Sequence, residues 1–159
     1  MNIMATEEQK KIQLLRVFSM MALALAKNIY DALGETSYAM MRGVGIELLE
    51  ILQKEMGLEI QGEEPEDVLN ELMRIWVDEI GFIEESDVKK TDTGWTVTGH
   101  HCKSWALCQK ILETGAKEPF TCPIMSTMRA ALEKMGVRTH INIEPQSKTR
   151  GTQFILTNV

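Results

Sequence analysis

Hydrophobic spacing changes period three times along this chain, and that order confines the fold more than any single motif does. Up to about Ile80 the apolar residues recur at helical spacing. From Phe82 to Gly99 they alternate, between His100 and Gly136 they return to helical spacing, and from Val137 onward they alternate again. The sequence therefore predicts three helices, a hairpin, two shorter helices and a second hairpin. Two hairpins flanking a helical segment imply an α+β domain with one antiparallel sheet of four or more strands packed against helices.

The first helix runs from Thr6 to about Tyr30, with Ile12, Leu15, Phe18 and Met21 on one face and Leu14, Val17, Leu25 and Ile29 widening it. A helix apolar on nearly all sides belongs in a core, so its second half is expected to be buried. The second helix runs from about Thr36 to Met56. Gly43 and Gly45 inside it each lower helix stability by about 1 kcal/mol relative to alanine, which suggests another backbone or a ligand close by. The third opens at Pro65, carries Glu66 and Asp67 in its first turn, and presents Val68, Leu69, Leu72, Ile75, Trp76 and Ile80 before Gly81 ends it. The first hairpin turns over Lys90 to Gly94. The fourth helix reads through "HHCKSWALCQKILETG", the fifth through "PIMSTMRAALEKMG", and the last two strands through "VRTHINIE" and "GTQFILTN".

A chain of 159 residues can bury a core of its own, and the whole of 1–159 reads as a single domain. The formal net charge of −6, with lysine and arginine scattered, lacks the basic footprint of a nucleic-acid binder. The most apolar run, residues 14–30, is broken by Arg16 and Lys27 and falls short of the roughly 20 residues that span a bilayer. No membrane span is expected, and with Glu7 and Glu8 ahead of Lys10 and Lys11 no secretory leader either, which points to the cytoplasm. Three cysteines cannot all pair, so they are expected as thiols or metal ligands.

Two of those cysteines lie in "TGHHCKSWALCQ". Cys102, Cys108 and Cys122, with His101, form a soft donor set that would suit zinc, and iron after it, better than magnesium or calcium. The spacing C-x5-C-x13-C is not that of a zinc ribbon, and buried cysteines behaving as small hydrophobes are the competing reading. A third is a reactive thiol: Cys122 precedes a proline at a helix start, where the helix dipole favours a thiolate, with His140 as the distant candidate for a base. No glycine-rich phosphate loop and no H-E-x-x-H or G-x-S-x-G motif is present.

The segments "ALGETSYAMMRGVGIELLE", "TVTGHHC" and "PFTCPIMSTMRAALEKMG", followed by a closing hairpin, resemble the 4-vinyl reductase (hydrocarbon-binding) domain family from about Ala32 to Asn158. That family is similar in fold to the ligand-binding domains of haem-type nitric-oxide sensors and to vesicle-tethering subunits. The resemblance implies an often dimeric domain enclosing an apolar pocket, with a zinc site of cysteines and an acidic residue nearby in aromatic-sensing relatives. Cys122 matches that family's first metal cysteine, and Cys102 a cysteine in the related aminothiazoline-carboxylate hydrolases. Glu144 falls near the acidic ligand, whereas the position of the final cysteine holds Thr152 or Gln153.

The expectation is a small hydrophobic-molecule sensor or carrier, homodimeric, with residues 1–31 as a dimerising helix. Its pocket would be lined by Met40, Met41, Trp76, Trp105, Phe120 and Met125, because ligand pockets are mostly apolar. Eleven methionines suit such a cavity. The alternatives are a cysteine-dependent enzyme acting on a small thiol- or ring-containing substrate through Cys102 or Cys122, and a structural subunit of a larger assembly.

Overall fold

The computed structural model describes residues 6–159; those parts of the expected 1–159 domain and 1–31 helix that fall on residues 1–5 lie outside them. The helix-first order is present. Helix α1 spans Glu7–Leu33 and opens on a capping box, in which the Thr6 hydroxyl accepts from the Gln9 N–H and the Gln9 side chain accepts from the Thr6 N–H. Helix α2, Thr36–Glu50, continues into a wider π-helical turn over Ile51–Glu55. Helix α3, Pro65–Arg74, ends the same way over Ile75–Glu79. Gly57 and Gly81 follow these turns at φ of 68° and 66°, a region open to glycine, and let the chain leave each helix sharply.

Strands β1 (Glu85–Thr91) and β2 (Gly94–His100) form the first hairpin, with a tighter turn than expected, since Asp92 and Thr93 alone connect them. Helix α4 is Trp105–Glu113 and α5 is Pro123–Lys134. Strands β3 (Thr139–Gln146) and β4 (Gly151–Asn158) make the second hairpin. The sheet is antiparallel in the order β1-β2-β4-β3, so the hairpins join through β2 and β4, and the α+β architecture is as the sequence predicts.

One face of the sheet carries Trp95 and Val97 opposite Leu156 and Phe154. These pack with Ile141 against α3 and α5, where Leu69, Leu72, Met73, Trp76, Met125, Met128 and Leu132 are all buried. Each side chain removed from water on this scale contributes about 1.5–3 kcal/mol. A polar link inside this layer runs from the Trp76 indole N–H, which donates to the Thr127 hydroxyl at 3.3 Å. A smaller cluster of Ala26, Ile111, Ala116 and Phe120 joins α1 and α4. Tyr30, Tyr38 and Phe120 stack there, with ring centroids 5.6–6.2 Å apart.

Helix α1 departs from expectation. In its second half Ala26 is buried, but Met21 and Leu25 are 52% and 57% exposed. Only the strip through Leu23, Ala26 and Tyr30 meets the domain, and Glu7 to Ala22 are exposed throughout. An apolar pattern records that a face avoids water, not which molecule covers it. By length and mean hydropathy alone α1 is also long and apolar enough to cross a membrane.

Candidate functional site

The three cysteines converge. Strand β2 delivers the chain to His100, and the next residue, His101, turns it at φ 54°. The His101 and Cys102 N–H groups donate to the carbonyls of Thr149 and Arg150 at 2.9 and 3.0 Å, pinning this corner to the β3–β4 turn. That brings Cys102 beneath the end of the sheet. Cys108 lies one turn inside α4 and Cys122 at the N-cap of α5. The Cys102 thiol lies 3.3 Å from the Ser104 hydroxyl, which is in turn 3.7 Å from the Cys108 thiol. Together with Ile83, Gly99, Trp105, Ile124, Thr152 and Phe154, the cysteines enclose a chamber whose free space is about 10 Å³. That is at the lower limit for a single water molecule.

A bond between Cys108 and Cys122, together with burial, governs the protonation of these thiols. Burial pushes the Cys102 thiol up. Cys122, donating to Cys108 and sealed from water, is also pushed up, while acceptance of that bond draws Cys108 down. A reactive thiolate at Cys122 is therefore not what the helix start produces, because desolvation and the donated bond outweigh the dipole. Iodoacetamide at pH 7 is expected to label Cys102 slowly and Cys122 only after unfolding, with Cys102 labelling rising as pH rises. Peptide mapping by mass spectrometry checks this, and rapid labelling of native Cys122 would contradict it.

The fourth expected ligand, His101, is exposed, since the helix begins at Trp105 and not at His100. His101, Trp105 and Cys108 thus do not share a helical face. Among the described residues no group of three or more histidine, cysteine or acidic side chains is placed to hold a metal ion. Glu144 lies on β3, exposed and away from the chamber. Thr152, one of the two residues at the resembled family's final cysteine position, does line it.

The six expected pocket residues are not gathered in one cavity. Trp76 and Met125 belong to the main core, Phe120 and Met41 to the smaller cluster, Trp105 walls the thiol chamber, and Met40 is 51% exposed. Methionine and aromatic residues at helical spacing mark burial, and burial here is divided between two clusters. Ser104, Ile83 and Phe154 went unrecognised in the sequence. Ile83 and Phe154 look like ordinary strand-region hydrophobes, and Ser104 carries no signal of its bridging position.

A second concave region lies along the β3 edge of the sheet. An open cleft of about 400 Å³ between α2, α5 and the start of β3 is lined by Glu35, Tyr38, Arg42, Arg129, Glu133 and Thr139, among others. Another of about 570 Å³ continues along β3 from His140 to Glu144, opposite Tyr38, Lys117 and Glu118. His140 is here, bonded to Asn142 at 3.1 Å and remote from the thiol chamber, so it does not serve the cysteines as a base.

Comparison with known proteins adds four findings. A family model described as "Putative rubredoxin C-terminal domain" matches residues 18–159. The 4-vinyl reductase family that the motifs resemble is not shown; the matching family carries a different description. Among solved structures, a trafficking protein particle complex subunit 3 from Naegleria fowleri, covalently bound to palmitic acid, superposes with a TM-score of 0.57 at 12% identity, over 90% of this chain and 93% of that one. The expected likeness to vesicle-tethering subunits is thereby shown at the level of fold. An Fe(II) unliganded H-NOX protein from K. algicida gives a TM-score of 0.36 at 15% identity, over 100% of this chain and 77% of that one, too slight a likeness to argue from. No curated protein matches the sequence.

Proposed function

We propose, from the premise that the chain belongs to the rubredoxin C-terminal domain family, that it is a non-catalytic cytoplasmic domain holding a small apolar molecule in the space around Cys102, Cys108 and Cys122. The observation that carries this reading is the convergence of three thiols, from the loop after β2, from α4 and from the start of α5, on one apolar chamber under the sheet. Soft, weakly polar side chains among Ile83, Trp105, Ile124 and Phe154 solvate an apolar guest and exclude a charged one. The trafficking subunit that shares this fold holds palmitic acid, which gives an apolar guest a precedent there.

The chamber as it stands admits at most one water, so the guest must open it. Trp105, half-buried on the first turn of the short α4, is the wall able to move. The domain acts as a homodimer through α1, whose Leu14, Phe18, Met21 and Leu25 repeat at the four-three-four spacing of a helix seam and are each more than half exposed.

Native mass spectrometry of the purified protein, with elemental analysis alongside, tests the guest. The expected result is a retained organic molecule and no stoichiometric metal. Added palmitic acid at about a hundredfold above its dissociation constant should raise Tm by roughly 5–10 °C, the shift that about 2.7 kcal/mol of linkage gives in a domain of this size. Stoichiometric zinc or iron lost in Cys102→Ser and Cys122→Ser would replace this reading with a metal site, and no organic molecule with no thermal shift would sink it.

A further inference from the structure

Strand β3 lies at the edge of the sheet, and among the described residues no backbone group bonds to it from outside between His140 and Glu144. Such an edge offers a row of unpaired N–H and C=O groups to any extended chain. Natural edges are often blunted by a covering helix or loop. Here five consecutive residues, His140 to Glu144, with Ile155 of the neighbouring strand, instead line the 570 Å³ cleft together with Tyr38, Lys117 and Glu118. At the far end Pro145 supplies no N–H, which limits any added strand to the Thr139–Glu144 stretch.

The near end of the same strand opens into the 400 Å³ cleft, which shares Tyr38, Glu118, His140 and Ile141 with its neighbour. The three carboxylates there, Glu35, Glu118 and Glu133, each have a cation beside them, but one of the three pairs is loose. Glu133 pairs with Arg42, and Glu35 with Lys117. Arg129, only 17% exposed in its side chain, has a single carboxylate contact, to Glu118 at 3.6 Å, too long for a hydrogen bond. Its guanidinium carries five donors. Lining the same cleft, the Thr139 hydroxyl is buried without a partner among the described residues. A carboxylate arriving at this end would satisfy both.

We infer that this edge binds the free C-terminal segment of a partner polypeptide, added antiparallel to β3, with its terminal carboxylate on Arg129 and Thr139. The direction follows from the layout. The carboxylate site adjoins Thr139, where β3 begins, so a chain ending there runs opposite to β3. Main-chain bonds supply affinity for any sequence, and the half-buried Ile143 with Tyr38 favours apolar side chains at alternate positions.

The full chain is screened against random octapeptides with free carboxyl termini, and the binders are resynthesised with amidated termini. Amidation is expected to weaken binding about tenfold to a hundredfold, the range for a charge-assisted bond. Arg129→Met should weaken the free-acid peptide by a similar factor and leave the amide's residual affinity unchanged. Methylating alternate peptide nitrogens should abolish binding in one register and spare it in the other. Thr139→Val, expected to weaken binding less, keeps the test valid if Arg129→Met lowers folding, and melting temperatures report that. Binders indifferent to amidation, no binders at all, or two copies of this chain paired edge to edge through β3 would each overturn the proposal.

Discussion

Alanine at position 45 is expected to destabilise the domain by about 3 kcal/mol, at the upper end of the range for overpacking, while alanine at position 43, two residues away on the same helix, stabilises it by up to about 1 kcal/mol. The difference lies entirely in what each glycine faces. A Cβ at Gly45 would stand 2.5 Å from the Ser126 carbonyl oxygen and 3.0 Å from its carbon, on α5, whereas one at Gly43 meets nothing within 4 Å. Backbone cannot yield as a flexible side chain can, so Gly45→Ala must push α2 off α5 and disturb the packing around Met125 and Met128. In a domain of this size the expected change in Tm is a fall of roughly 6–12 °C for Gly45→Ala and a rise of a few degrees for Gly43→Ala. Thermal unfolding followed by circular dichroism measures both, and equal effects from the two substitutions would refute the close approach.

That pair also marks how far the sequence could be read. Two glycines within one helix signal a close approach somewhere, but identical local chemistry gives no means of deciding which of them faces α5. Helix ends were legible because glycine at Gly34, Gly57, Gly81, Gly115 and Gly136 takes backbone angles that other residues resist. The two hairpins were legible from alternation. The meeting of Cys102 with Cys122 was foreseeable, since both precede helices that start at one end of the sheet. The loss of His101 was not, because a non-glycine residue at φ 54° is set by the tertiary bonds to Thr149 and Arg150 and not by local preference. Nor could the Arg129 site be seen, because the number of partners an arginine finds is a property of the folded neighbourhood.

On the proposed pairing of two chains through α1, exchanging both Phe18 and Met21 for glutamate is expected to leave a species of the single-chain mass of 18.0 kDa. Both side chains are more than half exposed on α1, so within one chain the exchange removes little packing and should leave Tm of the monomer nearly unchanged. Between two chains the arithmetic differs. Burying a side chain of this size contributes about 1.5–3 kcal/mol, and burying a carboxylate in its place adds a further penalty, so dissociation should strengthen by at least about a thousandfold. Sedimentation velocity at several concentrations reads the result directly. A bilayer is the rival occupant of the same face, and charge spacing argues against it. Between Arg16 and Lys27 the charge-free stretch is Val17 to Ala26, about 15 Å of helix against a hydrocarbon core of about 30 Å. The strip through Ala26 and Tyr30 is moreover already committed to the domain. Wild-type protein that sediments as a single chain at about 100 µM, well above the nanomolar-to-micromolar range of stable interfaces, would reject the dimer. Pelleting of that protein with vesicles of mixed neutral and anionic phospholipid would then assign α1 to the membrane surface instead.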